Sequence, residues 1–205
     1  MTASRTMAPG RQKLLDAAVA VIREKGYVAT TIDELCARAR VAKGSFFHHF
    51  KDKEALAVAA ANYWSETTGA FFATAPYHRH KDPLDRVLGY IEFRRSMLKG
   101  ELPEFTCVAG TMVQEIYETN PNIRDACDAS IRGHAKKIEV DIAEAMKLHG
   151  VRGKWTAESL ALHTQAVLQG AFILAKATGR AEIAVSSVDH LRRYIELLFS
   201  LGRGK

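Results

Sequence analysis

Apolar residues recur three and four positions apart along almost the whole chain and nowhere alternate at the two-residue interval of a strand. That rhythm predicts an all-α fold of about nine helices. In a first helix over residues 10–25, Leu14, Ala17, Ala18, Val21 and Ile22 share one side, and Gly26 with Tyr27 ends it, the glycine acting as C-cap. Thr31 stands three residues before Glu34, the spacing of a capping box, and opens a second helix with Ile32, Leu35 and Ala39 on its inner face. Cys36 is small enough there for the next helix to approach closely. Arg40-Val41-Ala42 makes a turn with Val41 as its apolar plug, and residues 43–50 form a short third helix with Phe46 and Phe50 turned inward. Asp52 caps a long fourth helix reaching about Thr74.

Asp82-Pro83, a cap followed by proline at the first helical position, opens a fifth helix to about Lys99. Residues 100–104 read as a loop, 105–118 as a short sixth helix, and Asn120-Pro121 caps a long seventh reaching about Leu148. A glycine-rich break over 149–154 precedes the last two helices, 155–178 and 187–201, the latter capped by Ser186. Ala157, Leu160, Ala161, Thr164, Val167, Leu168, Ala171, Leu174 and Ala175 form a wide apolar stripe on one of these, and Val188, Leu191, Tyr194, Ile195 and Leu198 on the other. Two such helices from each of two subunits would make a four-helix homodimer interface, burial within one subunit being the competing reading. Residues 1–9 read as a disordered tail, whose Arg5 would otherwise reach a minor groove.

The stretch 30–56 has the layout of a helix-turn-helix, whose second helix lies in the DNA major groove. Its inward residues leave Lys43, Gly44, Ser45, Phe47, His48 and His49 on the outer face, donors and flat rings suited to base edges, thymine methyls and phosphates. The expected division puts Lys43, Gly44, Ser45, Phe47 and His48 toward bases or the groove floor, and Thr31, His49 and Lys53 on phosphates. Lys53 would act there with the free N–H groups opening the fourth helix. Charge sharpens this reading. The net +6 is concentrated in residues 1–53, with 10 Lys/Arg against 5 Asp/Glu, while residues 54–205 carry 19 against 18. A basic excess confined to the motif is what phosphate binding requires. The natural division is residues 1–53 as the DNA-binding domain and 54–205 as a ligand-binding and dimerisation domain.

VAKGSFFHHFKDKEAL, residues 41–56, and the preceding GYVATTIDELCARARVAKGS resemble the DNA-binding domain of the tetracycline repressor (TetR) family. The likeness is sharp over about the first quarter of the chain. One departure is Arg40, where the family usually has glycine; at positive φ a non-glycine residue costs on the order of 1 kcal/mol. The resemblance implies a dimer that reads a palindromic operator with two recognition helices about 34–36 Å apart. It also implies a small-molecule pocket among helices five to eight. Residues combining apolar bulk with a polar handle are its expected lining: Tyr90, Phe93, Arg94, Met97, Phe105, Cys107, Met112, Tyr117, His134 and Gln165. Ligand binding would then move the fourth helix and spoil the spacing, releasing a repressor from its operator.

Cys107 precedes a helix start, which lowers a thiol pKa, so a thiol or electrophile sensor is an alternative to simple packing. Three scattered cysteines argue against a disulfide framework and, with no apolar core in residues 1–9, fit a cytoplasmic protein. No apolar run is long enough for a membrane span. His78-x-His80 has no evident third ligand, and the sequence carries no HExxH, CxxC, GxSxG or phosphate-binding glycine loop, so no metal, cofactor or enzymatic role is expected. A carrier that has lost its DNA role and a non-specific architectural DNA binder are the remaining classes. Only a specific regulator keeps a strong preference for one palindrome.

Overall fold

A computed structural model describes residues 7–201; residues 1–6, where most of the expected disordered tail and its Arg5 fall, lie outside the described residues. Ten α-helices and no strand occur among the described residues: α1 Pro9–Lys25, α2 Ile32–Ala39, α3 Lys43–His49, α4 Lys53–Ala73, α5 Pro83–Ser96, α6 Leu102–Phe105, α7 Val108–Ile116, α8 Pro121–Leu148, α9 Ala157–Thr178 and α10 Ala181–Leu201. A 3-10 turn over Pro76–Arg79 links α4 to α5. The chain forms two compact units. Among the described residues, one comprises those up to Glu66 together with Val108–Ser130, and the other Thr67–Cys107 with those from Ile131 onward. The short helices α2 and α3 therefore fall in one unit with the first part of α4 and with α7, whereas the sequence reading divides the chain at residue 53.

In the first unit Leu14, Leu15, Ala18, Val21 and Ile22 of α1 are buried, as the three-four spacing requires. Gly26 ends α1 at φ 91°, and Glu115 of α7 approaches it so closely that a Cβ would meet the carboxylate. Only half of the expected capping box forms at Thr31. Its Oγ1 accepts from the Glu34 N–H at 3.2 Å, but the Glu34 carboxylate pairs with Lys25 instead of turning back. Arg40 adopts the left-handed conformation, φ 53° and ψ 50°. The N–H groups of Arg40 and Val41 return to the Ala37 and Cys36 carbonyls, the Schellman closure that places Val41 as the apolar plug. Asp52 caps α4 by accepting from the Ala55 N–H at 2.8 Å.

In the second unit α5, α8, α9 and α10 enclose one apolar core that includes Val87, Ile91, Ile142, Leu168, Leu191 and Ile195. Arg86 of α5 binds Asp141 and Glu144 of α8, and Arg95 binds Asp189 of α10. Three element expectations change. The 100–104 loop is largely the single turn α6, stabilised by a reciprocal box between Glu101 and Glu104, so Phe105 closes that turn and the following helix starts at Val108. The last helix begins at Ala181, immediately after the left-handed Gly179 and Arg180, which leaves Ser186 inside α10 and Asp189 bound to Arg95. The apolar stripes expected at the subunit interface are mostly spent within the unit. Leu160, Ala161, Thr164, Leu168, Ala171 and Ala175 of α9 are buried, as are Val188, Leu191 and Ile195 of α10. The apolar surface that these helices leave exposed is Leu162, Ile173, Leu174, Tyr194 and Leu197.

Candidate functional site

The outer face of α3 is built on an aromatic anchor. Phe46 is fully buried, with Phe50 5.9 Å and Phe47 5.2 Å away between ring centroids. Phe47 nevertheless projects outward, 52% exposed, an expensive position for a phenyl ring in water. Lys43, Gly44 and His48 are exposed beside it. A Cβ at Gly44 would meet nothing within 4 Å. No neighbour requires that glycine, although glycine in a helix costs about 0.5–1 kcal/mol relative to alanine. Its backbone is open to the outside, as it also is at Gly133 of α8 and Gly170 of α9. Ser45 and His49 sit differently: both are half-buried and face Gly10 of α1, where a Cβ would lie 3.3 Å from Ser45 Oγ and 2.9 Å from His49 Nε2. The Lys43 ammonium rests on Asp33 at 2.7 Å, a pair exposed on both sides and therefore readily exchanged for another anion.

Thr31 is exposed and caps α2, which leaves its hydroxyl proton available. Lys53 departs from its expected phosphate role. Its Nζ donates to the carbonyls of Tyr27, Val28 and Thr30 at 3.1, 3.4 and 2.9 Å and lies 4.3 Å from the Tyr27 ring centre. Three carbonyls use all three ammonium protons. Burial pulls its pKa down, opposed by the charge of Glu115. Glu115, which the sequence reading missed, accepts from the Val28 N–H at 2.8 Å. The turn leading into α2 is thus held by a cation from α4 and a carboxylate from α7. Their separation of 62 positions leaves no local signal.

The second unit contains a cavity of about 240 Å³ lined by Gly69, Phe72 and Ala73 of α4, Tyr77 and His78 of the 3-10 turn, Tyr90 of α5, and His134, Lys137, Ile138 and Asp141 of α8. Of the ten expected lining residues it brings in two directly, Tyr90 and His134. Gln165 joins through a hydrogen bond, its Nε2 donating to Tyr90 Oη at 3.2 Å, while Tyr90 Oη lies 3.0 Å from His134 Nε2. Burial, helped by the charges of Arg94 and Lys137, lowers the His134 pKa to about 3, so the ring is neutral. Phe93 and Arg94 stand behind the wall: Phe93 packs 5.4 Å from Phe72, and the Arg94 guanidinium stacks 5.0 Å over the same ring. Phe105 packs on Phe172, and Met97 and Cys107 lie at the edge of the unit's core. Met112 and Tyr117 belong to the other unit, the first fully buried and the second 59% exposed.

Tyr77 has no mark in the sequence because a single 3-10 turn has no periodicity, and His78 is read there only as a metal candidate. His78 Nε2 meets the Phe72 carbonyl at 3.0 Å. Among the described residues no group of three or more His, Cys, Asp or Glu is placed to hold a metal ion, and no helix is long and apolar enough to cross a membrane.

Comparison with known proteins agrees with this architecture. Residues 14–60 match the family described as bacterial regulatory proteins, tetR family, and residues 83–191 match the tetracyclin repressor-like C-terminal domain. The chain is 31% identical over 96 residues to an uncharacterised HTH-type transcriptional regulator, YvkB, of Bacillus subtilis, covering 45% of this chain and 51% of that one. The match thus spans about half the length of that relative. It is 24% identical over 168 residues to the HTH-type transcriptional repressor DhaR of a Mycobacterium species, 82% of this chain and 83% of that one. A TetR transcriptional regulator from Chloroflexus aurantiacus superposes with a TM-score of 0.79 at 28% identity, over 91% of this chain and 94% of that one. Matched at both ends and across the fold, the chain belongs to the TetR family of DNA-binding transcriptional regulators.

Proposed function

We propose that this protein is a repressor that binds a palindromic operator as a homodimer and is released when a small molecule fills the cavity of its second unit. The observation that carries the DNA reading is the α3 face: an outward phenyl at Phe47 beside Lys43, His48 and the unneeded Gly44. A helix surface of that kind fits a groove floor, with Lys43 on a base edge, Phe47 on a thymine methyl and the Gly44 backbone close to the DNA. Ser45 and Thr31 are polar contacts at the rim, and His49 is the phosphate contact nearest α1.

The exposed Leu162, Ile173, Leu174, Tyr194 and Leu197 support a dimer through α9 and α10, since a monomer seldom leaves such a patch on two adjacent helices. A two-fold dimer sets two recognition helices one DNA turn apart. Effector binding is coupled to that spacing through α4. Its later residues Gly69, Phe72 and Ala73 wall the cavity, and its first residue Lys53 braces the turn before α2. A ligand displaces the balance only by its different affinity for the two settings of the dimer. The protein acts in the cytoplasm, where its operator is accessible.

Selection of bound duplexes from a random DNA pool tests the reading. A palindrome preferred at least about 10³-fold over scrambled DNA at near-physiological salt supports a specific regulator. Uniform binding with the same salt dependence supports an architectural protein instead.

A further inference from the structure

The cavity in the second unit has a chemical bias that narrows what it holds. At about 240 Å³ it is smaller than pockets for drug-sized ligands, so its occupant is small, of one or two rings. Its walls are aromatic: Phe72 and Tyr90 lie 5.8 Å apart, Tyr77 is 5.8 Å from Tyr90, and the neutral ring of His134 is 4.7 Å from Phe72. Several polar groups of the lining are already partnered. Tyr90 Oη accepts from Gln165 and shares a hydrogen bond with His134 Nε2. Asp141 is held by Arg86 at 2.7 Å, and Arg86 also binds Glu144.

One charged group on the lining has no such partner. Lys137, exposed at the cavity's rim, makes no ion pair among the described residues, and its Nζ lies over Gly69, where a Cβ would stand 2.7 Å from it. Gly69 is a buried glycine inside α4, so a side chain that would crowd the ammonium is missing at the one point where it would matter. Arg94, stacked on the outer side of Phe72, has its Nε buried without a partner among the described residues. The charges that line or back the cavity are therefore Lys137, Arg94 and Arg86 against Asp141 and Glu144, a balance of plus one.

We infer that the cavity takes a small planar aromatic acid, its ring system between Phe72, Tyr77, Tyr90 and His134 and its carboxylate on Lys137 Nζ. Rings of this kind hold a flat ligand by offset and edge contacts. A charge-assisted hydrogen bond to an otherwise unpaired ammonium selects the acid over its neutral and cationic counterparts. This assignment rests on the proposed effector role of the cavity.

The test uses the full chain and three isosteric probes: 2-naphthoate, 2-naphthamide and 2-naphthylmethylammonium. Calorimetry is expected to give binding of naphthoate about 10-fold or more tighter than naphthamide, and weaker binding still of the ammonium, the difference typical of one hydrogen bond to a charged group. Lys137→Met should remove the preference for the acid while leaving naphthamide affinity and thermal midpoint unchanged, and Lys137→Arg should restore it. Gly69→Ala should reduce the same preference by displacing the ammonium. Naphthamide or the ammonium binding as tightly as the acid, a preference that survives Lys137→Met, or no binding of any probe would each overturn the assignment. Operator affinity measured in the same samples separates the two ideas. Naphthoate that binds without weakening operator affinity keeps the aromatic-acid site and refutes the inducer role. Release by a probe that is not the acid keeps the inducer role and refutes the ligand class.

Discussion

The face of α3 and the cavity of the second unit handle aromatic and polar groups in opposite ways. On α3 the phenyl of Phe47 is held out in water and Lys43 is tied only by an exposed, exchangeable pair to Asp33. In the cavity the rings of Phe72, Tyr77 and Tyr90 are buried, and Tyr90, His134 and Gln165 are hydrogen-bonded to one another within the wall. On the proposed function, the first surface is the one a DNA groove would complete. The second encloses a small void with Lys137 on its lining, the group that the inference above assigns to discrimination. A substitution on α3 should thus change binding with little effect on stability, and one in the cavity wall should do the reverse in the absence of ligand.

The largest effects on binding are expected on α3, and Lys53 is the side chain that departs from the division. Phe47→Ala or Lys43→Ala is expected to weaken binding to the selected operator by about 1–3 kcal/mol, with a smaller loss on scrambled DNA, in a titration at fixed salt. Equal losses on both sequences would mean that neither side chain reads bases. Lys53→Met is expected to cost about 1–3 kcal/mol of stability, because three carbonyls of the 27–30 turn lose their donor, and to weaken all DNA sequences alike. Denaturant unfolding checks the first effect; an unchanged midpoint would show that Lys53 does not hold the turn.

The cavity wall is probed by pH. His134 binds its proton less readily folded than unfolded, with a folded pKa of about 3 against an ordinary value of 6.5. The unfolded chain therefore takes up the proton first as pH falls. This residue's contribution is complete above about pH 6.5 and is progressively lost down to about pH 3, amounting to roughly 2 kcal/mol between pH 7 and pH 5. His134→Gln should flatten that acid limb relative to wild type in parallel unfolding curves. An identical slope in both proteins would mean that the ring is not held neutral by burial. The smallest effect is expected at the corner before α3: Arg40→Gly relieves the left-handed backbone and should raise stability by up to about 1 kcal/mol, read as a higher thermal midpoint.

The two regions also differed in how far the sequence alone revealed them. The α2–α3 corner lies within 27 consecutive residues, and each feature that shapes it is local: the cap at Thr31, the inward Phe46 and Phe50, the turn at Arg40. The stripe spacing identified the helices for the same reason. Where long-range partners decide, it went astray. Lys53 is consumed by carbonyls 23 to 26 positions earlier, and the α9 stripe packs into its own core instead of standing outside. Tyr90, His134 and Gln165 were expected in one pocket and do form one network, since a polar handle on an inward helix face has to find a partner. Tyr77 and Lys137 carry no such mark. A 3-10 turn has no repeating face, and a lysine on a long helix reads as solvated until Gly69 is seen beneath it.

The central claim is that the α3 face is shaped for DNA and not for the fold, and Gly44→Ala measures it most directly. Because a Cβ there meets nothing in the protein, the substitution is expected to raise stability by about 0.5–1 kcal/mol while weakening the selected operator at least about 10-fold. Operator affinity unchanged from wild type, with the same gain in stability, would contradict the account.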